Sequence, residues 1–301
     1  GIFKEEVRQC DSALVESFKQ KLLPSSKSAK QINVTLQTEL QARLAENPKN
    51  FKNSLGMTMQ LFHPNDFRMG APRGEKGQRA NEFQRSIRLS KPIYVSIHEV
   101  TVEQFSKFRP VKPVPSNASF PITNVSWNDA IQFCNWLSQK DKLKPFYRLS
   151  GGRYTGENRE AEGYRLPTEA EWEKAACWDD KNQQKTIFPW GNESPDTVHA
   201  NLLESYIWSC AEVGAYPNGK SHYGCHQMIG DVWEWTSSEF SGYPGFKTGF
   251  SEYNDKWFAN QKVLRGGSFG TPSVSIRGSY RNFFRLNERW LFAGFRCAED
   301  L

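Results

Sequence analysis

Two patterns of apolar and polar positions divide the chain. Through residues 5–50 the apolar side chains are sparse and spaced for helix. Ile32, Leu36, Leu40 and Leu44 recur every four residues, marking one face of a helix. Asn47-Pro48 closes it, because the residue before a proline is pushed out of the helical region. An earlier stretch from Glu6 to Leu23 carries Val7, Leu14 and Phe18 and stops at Pro24-Ser25-Ser26. Residues 1–52 therefore read as a helical leader or linker, and residues 53–301 as a separate domain.

After Asn53 short apolar stretches alternate with Gly, Pro, Asn and Asp, and the pattern predicts two good helices. One runs from Trp127 to Lys140 with Ser126 as N-cap, burying Ala130, Phe133, Cys134, Trp136 and Leu137. The other opens on the capping box Thr168-Glu169-Ala170-Glu171 and runs through Trp172 to Cys177. A long segment with two short helices and many loops predicts an irregular α+β fold. No internal repeat of 20–50 residues is visible. No window approaches the ~18 uninterrupted apolar residues of a membrane-spanning helix, so no membrane insertion is expected. The start, Gly1-Ile2-Phe3-Lys4, has no apolar core flanked by basic residues, so no signal peptide is expected.

Composition sharpens this picture in two places. Aromatics make up 14% of the 301 residues, more than a disordered chain carries, and irregular loops need such side chains as anchors. The six cysteines contain no C-x-x-C, which removes zinc-ribbon and thioredoxin-like readings; their even count permits disulfides without requiring them, and reduced thiols in a cytoplasm are the favoured expectation. The formal charge of +6 changes little, since Lys and Arg form no run of five and no nucleic-acid partner is implied.

A series of short blocks is more specific. In order the chain reads Asn53-Ser54-Leu55-Gly56-Met57, Phe67-Arg68-Met69-Gly70, Glu99-Val100-Thr101 and Pro121-Ile122-Thr123-Asn124-Val125-Ser126-Trp127. Then come Tyr164-Arg165-Leu166-Pro167-Thr168-Glu169-Ala170-Glu171-Trp172-Glu173, Pro189-Trp190-Gly191-Asn192 and Gly230-Asp231-Val232-Trp233-Glu234-Trp235-Thr236. Leu264-Arg265-Gly266-Gly267-Ser268-Phe269 and Gly294-Phe295-Arg296 complete the series. Arg165 and Arg265 each precede a tight turn, where a guanidinium can hold several carbonyls, and Gly266-Gly267 permits backbone closed to other residues. This series resembles the formylglycine-generating enzyme, or sulfatase-modifying-factor, family. The resemblance covers residues 53–298 and implies a C-type-lectin-like fold with little regular secondary structure.

The chemistry of that family does not carry over. Formylglycine-generating enzymes bind copper with two cysteines between the Gly-Gly-Ser and Gly-Phe-Arg blocks, and thiolates suit soft copper(I). Here the corresponding positions fall near Ser273 and Gly278, neither of which supplies a thiolate. The last blocks, Ser279-Tyr280-Arg281-Asn282-Phe283-Phe284 and Arg289-Trp290, are closest in wording to the iron-dependent sulfoxide synthases of ergothioneine biosynthesis. Those hold iron with histidines of a helical domain, whereas residues 1–50 here contain no histidine. His222 and His226 stand four apart, but in a loop-like stretch where that spacing brings no rings together. Neither copper nor iron is therefore expected. The resemblance does imply a structural calcium at Gln227, Gly230, Val232 and Glu234, with Asn201 and Leu202 as further positions. An oxygen-only set suits that ion, although hydrogen bonds alone could also hold the turn.

A third resemblance, to the variable proteins of diversity-generating retroelements, implies a binding surface in residues 264–296. Tyr280, Asn282, Phe283, Phe284, Arg285, Asn287, Trp290 and Phe292 have the composition of a binding hot spot. They equally suit a core packed beneath loops, with Arg285 and Asn287 expected outside. Three functions follow as expectations. The first is a module binding a protein or small-molecule ligand, with catalysis absent. The second is a non-haem metal-dependent oxidative enzyme, sulfoxide-synthase-like or siderophore-maturation-like. The third is an accessory domain of a larger signalling protein.

Overall fold

The computed structural model describes residues 38, 42, 44–111, 117–246, 258 and 260–301. The chain divides into the units Gly1–Pro48 and Lys49–Leu301. In the first, residues 38, 42 and 44–46 are helical; the remainder of the expected leader, including Ile32, Leu36 and Leu40, lies outside the described residues. Asn50–Lys52, placed by texture in the leader, is the first strand of the second unit.

That second unit is a mixed α/β domain of short strands and few helices. Its strands are β1 (Asn50–Lys52), β2 (Thr58–Phe62), β3 (Asp66–Met69), β4 (Arg85–Arg88) and β5 (Ile93–Ser96). After helices α1 (Val102–Ser106) and α2 (Trp127–Lys140) come β6 (Tyr147–Ser150), β7 (Arg153–Glu157) and helix α3 (Glu169–Cys177). Then follow β8 (Trp178–Asp179), β9 (Gln184–Lys185), β10 (Trp233–Glu239), β11 (Gln261–Arg265), β12 (Asn282–Arg285), β13 (Ala293–Gly294) and β14 (Ala298–Asp300). One four-stranded sheet runs β1-β2-β5-β14, so the first and last strands of the unit share a sheet. The other runs β12-β11-β10-β13, with β13 parallel to β10, and carries the terminal segment.

Helix starts follow local chemistry. Ser126 Oγ accepts the Asp129 amide at 3.1 Å while Asp129 accepts the Ser126 amide at 2.9 Å, and Thr168 and Glu171 repeat the exchange at 3.2 and 2.7 Å. A third helix, α1, escaped the two-helix expectation because five residues are too few to show periodicity. Its own box, Thr101 with Gln104, was nonetheless in the sequence. On α2, Ala130, Phe133, Cys134 and Leu137 are buried and Trp136 is half-buried.

Helix α3 is the hub of the domain, and its polar residues are buried with its apolar ones. Glu169 pairs with Arg281, Glu171 with Arg165, and Glu173 with Arg265, while Lys174 Nζ donates to the His63 carbonyl at 2.6 Å. Arg165 also pairs with Asp300 on β14, tying α3 to the first sheet. Arg296 forms a two-pronged pair with Glu234 at 2.6 and 2.7 Å. Each of these glutamates thus has a guanidinium as its partner, without which its burial would cost several kcal/mol.

Glu299 on β14 has no such partner. Burial, with Asp141, Glu162 and Asp300 nearby, pushes its carboxyl up to about 8. Below pH 4.5 the carboxyl is protonated in both folded and unfolded chains and imposes no penalty. As pH rises through the interval from 4.5 to 8 the unfolded chain ionises first, so stability falls. Glu299→Gln is therefore expected to raise Tm at pH 8 and leave it unchanged at pH 4, read as the difference between variant and parent melting curves. An equal Tm difference at both pH values would refute this assignment.

Candidate functional site

The terminal segment is shaped first by backbone. β11 ends at Arg265, and Gly266 and Gly267 then take φ of +100° and +85°. A Cβ at Gly266 would stand 2.7 Å from the Met228 carbonyl oxygen, so the turn excludes a larger residue on both grounds. Arg265 donates to the carbonyls of Ser279 and Tyr280 at 2.9 and 3.1 Å, closing the loop that its own turn opens. This is the carbonyl-holding role expected of it; the pairing with Glu173 was not visible in sequence.

The eight residues proposed as a surface divide among several environments. β12 pairs with β11 so that Phe283 lies opposite Val263 and Phe284 opposite Lys262. Consecutive strand residues face opposite sides of a sheet, and the two phenylalanines separate accordingly. Phe283 stacks on Phe240 with ring centres 4.0 Å apart. Phe284 begins an aromatic row: it meets Trp290 at 4.7 Å, Trp290 meets Phe292 at 5.1 Å, and Phe292 meets Phe269 at 5.1 Å. Tyr280 lies beside Trp233 at 5.7 Å, with the Arg79 guanidinium 4.5 Å from its ring centre. All five aromatics and Asn282 are half-buried, between the core and surface extremes; Arg285 and Asn287 are exposed, as expected. The Asn287 side chain accepts a hydrogen bond from Asn128 at the start of α2.

A second loop, not anticipated from sequence, adjoins this segment. Glu204 accepts the Ser273 amide at 3.0 and 3.1 Å and its hydroxyl at 3.0 Å, and Leu203 donates to the Thr271 carbonyl at 3.1 Å. Burial works against ionisation of Glu204, but the Ser273 amide and hydroxyl outweigh it and hold its pKa below the ordinary value. Beyond this clamp Tyr206 and Trp208 stand 73% and 65% exposed, with Ile207 and Val274 also exposed. Both aromatics have positive φ, 55° and 59°, which is uncommon for bulky side chains and concentrates at functional sites. The available sequence signal was the triplet Tyr206-Ile207-Trp208, a run of three large apolar side chains between Ser205 and Ser209.

The expected calcium positions are engaged in hydrogen bonds, mostly with other residues. The side chain of Gln227 accepts the Gly214 amide and donates to the Glu212 carbonyl at 3.2 Å and to Asp231 at 2.7 Å. The Gly230 carbonyl accepts the Val232 amide at 2.7 Å. Both oxygens of Glu234 accept from Arg296, and one also accepts Trp172 Nε1 at 2.8 Å. A cation coordinated by Glu234 would compete with that guanidinium. Asn201 donates to Asp231 at 2.8 Å, and Asp231 is pushed up to about 6 by burial.

Among the described residues no group of three or more His, Cys, Asp and Glu is placed to hold a metal ion. His226 packs on His98, with ring centres 4.7 Å apart, whereas His222 is exposed and 3.6 Å from Asp179. Ser273 is occupied by the Glu204 clamp. Gly278 faces Cys177, whose thiol burial pushes up to about 12 and so keeps it protonated. Cys134, Cys177, Cys210, Cys225 and Cys297 are buried and unbridged, and Cys10 lies outside the described residues. No described helix is long and apolar enough to cross a membrane.

Short strands, three described helices and long anchored loops, with a turn-defined terminal segment, define a C-type-lectin-like scaffold. The family model of the sulfatase-modifying factor enzyme 1-like domain matches residues 45–301, and the chain belongs to that family. It is 35% identical over 198 residues to hercynine oxygenase of Mycobacterium tuberculosis, covering 65% of this chain and 40% of that protein. The chain thus spans less than half the length of that relative. Among solved structures, Treponema denticola variable protein 1 superposes with a TM-score of 0.70 at 22% identity, covering 85% of this chain and 100% of that one. PvdO of Pseudomonas aeruginosa superposes with a TM-score of 0.66 at 22% identity, covering 85% and 99%. At such identities these two structures show a shared fold.

Proposed function

We propose that this domain is a binding module on a formylglycine-generating-enzyme-like scaffold, with residues 264–296 as its principal surface and a protein as its ligand. The observation that carries the reading is the Glu204–Ser273 clamp. It joins the loop bearing the exposed Tyr206 and Trp208 to the segment bearing the half-buried Phe284–Trp290–Phe292–Phe269 row. Large aromatics on an otherwise hydrogen-bonded frame are the usual energetic centres of protein interfaces.

The test is selection of binders to the full chain from a displayed random-peptide library. Trp208→Ala and Tyr280→Ala are expected to weaken the selected peptides about ten-fold or more, the scale of a hot-spot residue. Substitution of the remote, exposed Lys181 should leave them unchanged. Peptides indifferent to both aromatic changes would overturn the reading.

The identity to hercynine oxygenase favours a second reading, an oxidative enzyme dependent on a non-haem metal, whose ligands would include groups beyond those described here. Stoichiometric iron or copper in protein purified without chelator would support it over the first. A structural calcium at Gln227, Gly230, Val232 and Glu234 is the alternative to a turn held by hydrogen bonds alone. Since Glu234 is already neutralised by Arg296, the expected outcome is that EGTA leaves Tm unchanged; a lowered Tm restored by added calcium would establish the ion.

A further inference from the structure

At the start of α2, close to the Leu286–Trp290 turn, lies a cavity of about 380 Å³. Phe105, Ile122, Val125 and Leu291 contribute apolar wall, and Arg109, Asp129 and Arg289 supply its charged groups. This volume lies near the lower end of the range for small-molecule sites and is ample for one ring with a short chain.

The charges do not balance. Asp129 accepts from the Ser126 amide at 2.9 Å and hydroxyl at 2.7 Å, from Arg289 Nε and Nη2 at 2.8 and 2.9 Å, and from Arg109 Nη1 at 2.5 Å. One carboxylate thereby answers two guanidinium groups, leaving one positive charge in excess. The N-terminus of the 14-residue α2 adds partial charge of the same sign. Gln132, the other partner of Arg109, is neutral and only accepts through its carbonyl oxygen, at 3.0 Å. Among the described residues Arg289 Nη1 and Arg109 Nε have no hydrogen-bond partner. The two arginine side chains are 54% and 40% exposed, so their donors are accessible to a ligand.

We propose that this cavity binds a small organic monocarboxylate with an apolar body, its carboxylate on Arg289 and Arg109 and its body against Phe105, Ile122 and Leu291. The Nε–Nη2 fork of Arg289 is taken by Asp129, so the ligand carboxylate accepts single charge-assisted bonds from Arg289 Nη1 and Arg109 Nε, and a single surplus charge matches a monoanion better than a phosphate dianion. The apolar wall rejects a fully hydrated inorganic anion, which would lose water there without recompense. This site is independent of the protein-binding surface proposed above, and either can fail alone.

The test is calorimetric titration of the full chain at pH 7 with 3-phenylpropionate and, separately, with its neutral amide. The acid is expected to bind saturably with a Kd on the order of 1 mM, as befits so few atoms, and the amide at least ten-fold more weakly. Arg289→Gln should weaken the acid about ten-fold and leave the amide unchanged, with a retained cooperative melting transition above the titration temperature as the check on folding. Leu291→Ala, at an exposed position, should weaken both and serves if the arginine variant fails to fold. Equal binding of acid and amide, no saturable binding of the acid, or binding indifferent to Arg289→Gln or to Leu291→Ala would each overturn the proposal.

Discussion

Glu173→Gln is expected to destabilise the domain by roughly 3–5 kcal/mol, the usual loss when one partner of a buried ion pair is removed. Glu173 is 1% exposed and serves three groups. Its Oε1 accepts the Gly70 amide at 2.6 Å and lies 3.4 Å from Lys185 Nζ, and its Oε2 pairs with Arg265. Glutamine can retain one acceptor but carries no charge, so Arg265, wholly buried, loses its paired anion and keeps the carbonyls of Ser279 and Tyr280 as hydrogen-bond partners, with Glu169 the nearest remaining source of opposite charge. Its Nε already has no hydrogen-bond partner among the described residues, so the guanidinium has little bonding to spare. The measurement is guanidinium-induced unfolding, expected to show a lower midpoint at unchanged slope. Replacing both charges, Glu173→Leu with Arg265→Met, should recover part of the loss, because, of the two cations that Glu173 serves, the double variant leaves only Lys185 without it. A single-variant loss below about 1 kcal/mol would place Glu173 outside the set of buried pairs that hold α3.

Gly278→Ala should be nearly as damaging, through volume rather than charge. A Cβ at Gly278 would stand 2.1 Å from Cys177 Sγ and 3.1 Å from the Ile187 carbonyl oxygen. Cys177 sits at the end of α3, fully buried, so it has no free space into which to turn. Overpacking of this kind costs typically 1–3 kcal/mol and more where backbone must move, and here the Gly278 amide is also bonded to Ile187 at 2.8 Å. Cys177→Ala removes the nearest atom and leaves Cys177 Cβ at 3.4 Å, a tolerable contact. The double variant is therefore expected to be more stable than Gly278→Ala alone, a coupling that a double-mutant cycle measures directly. Additive losses would mean that the two residues do not meet.

Local chemistry was readable where partners lie within one helical turn. Ser126 with Asp129 and Thr168 with Glu171 are three apart, and both boxes start helices where the sequence placed them. Thr101 with Gln104 has the same spacing, and α1 was missed because the five residues after it show no period. The opening of β1 was misplaced for a similar reason: Asn50-Phe51-Lys52 has one apolar residue, and its partner strand, not its pattern, makes it a strand. The irregular character of the domain was legible from the mixture of aromatics with turn residues. The distribution of Phe283 and Phe284 to opposite faces became readable only with the strand register of β12.

What the sequence by itself determined, then, are helix starts, the glycine turn after Arg265, the texture of an anchored irregular fold and the order of blocks that marks the family. Each depends on residues a few positions apart or on composition. Tertiary structure decided the rest: Glu169 meets Arg281 across 112 positions, Glu173 meets Arg265 across 92, and Glu204 meets Ser273 across 69. No local pattern encodes such pairings, because a charged side chain has the same sequence signature whether water or an opposite charge in the core surrounds it. The physical difference is desolvation, which arises only when the chain closes around the pair. For the same reason the loop bearing Trp208 and the two-arginine cavity at α2 belong to the folded structure alone.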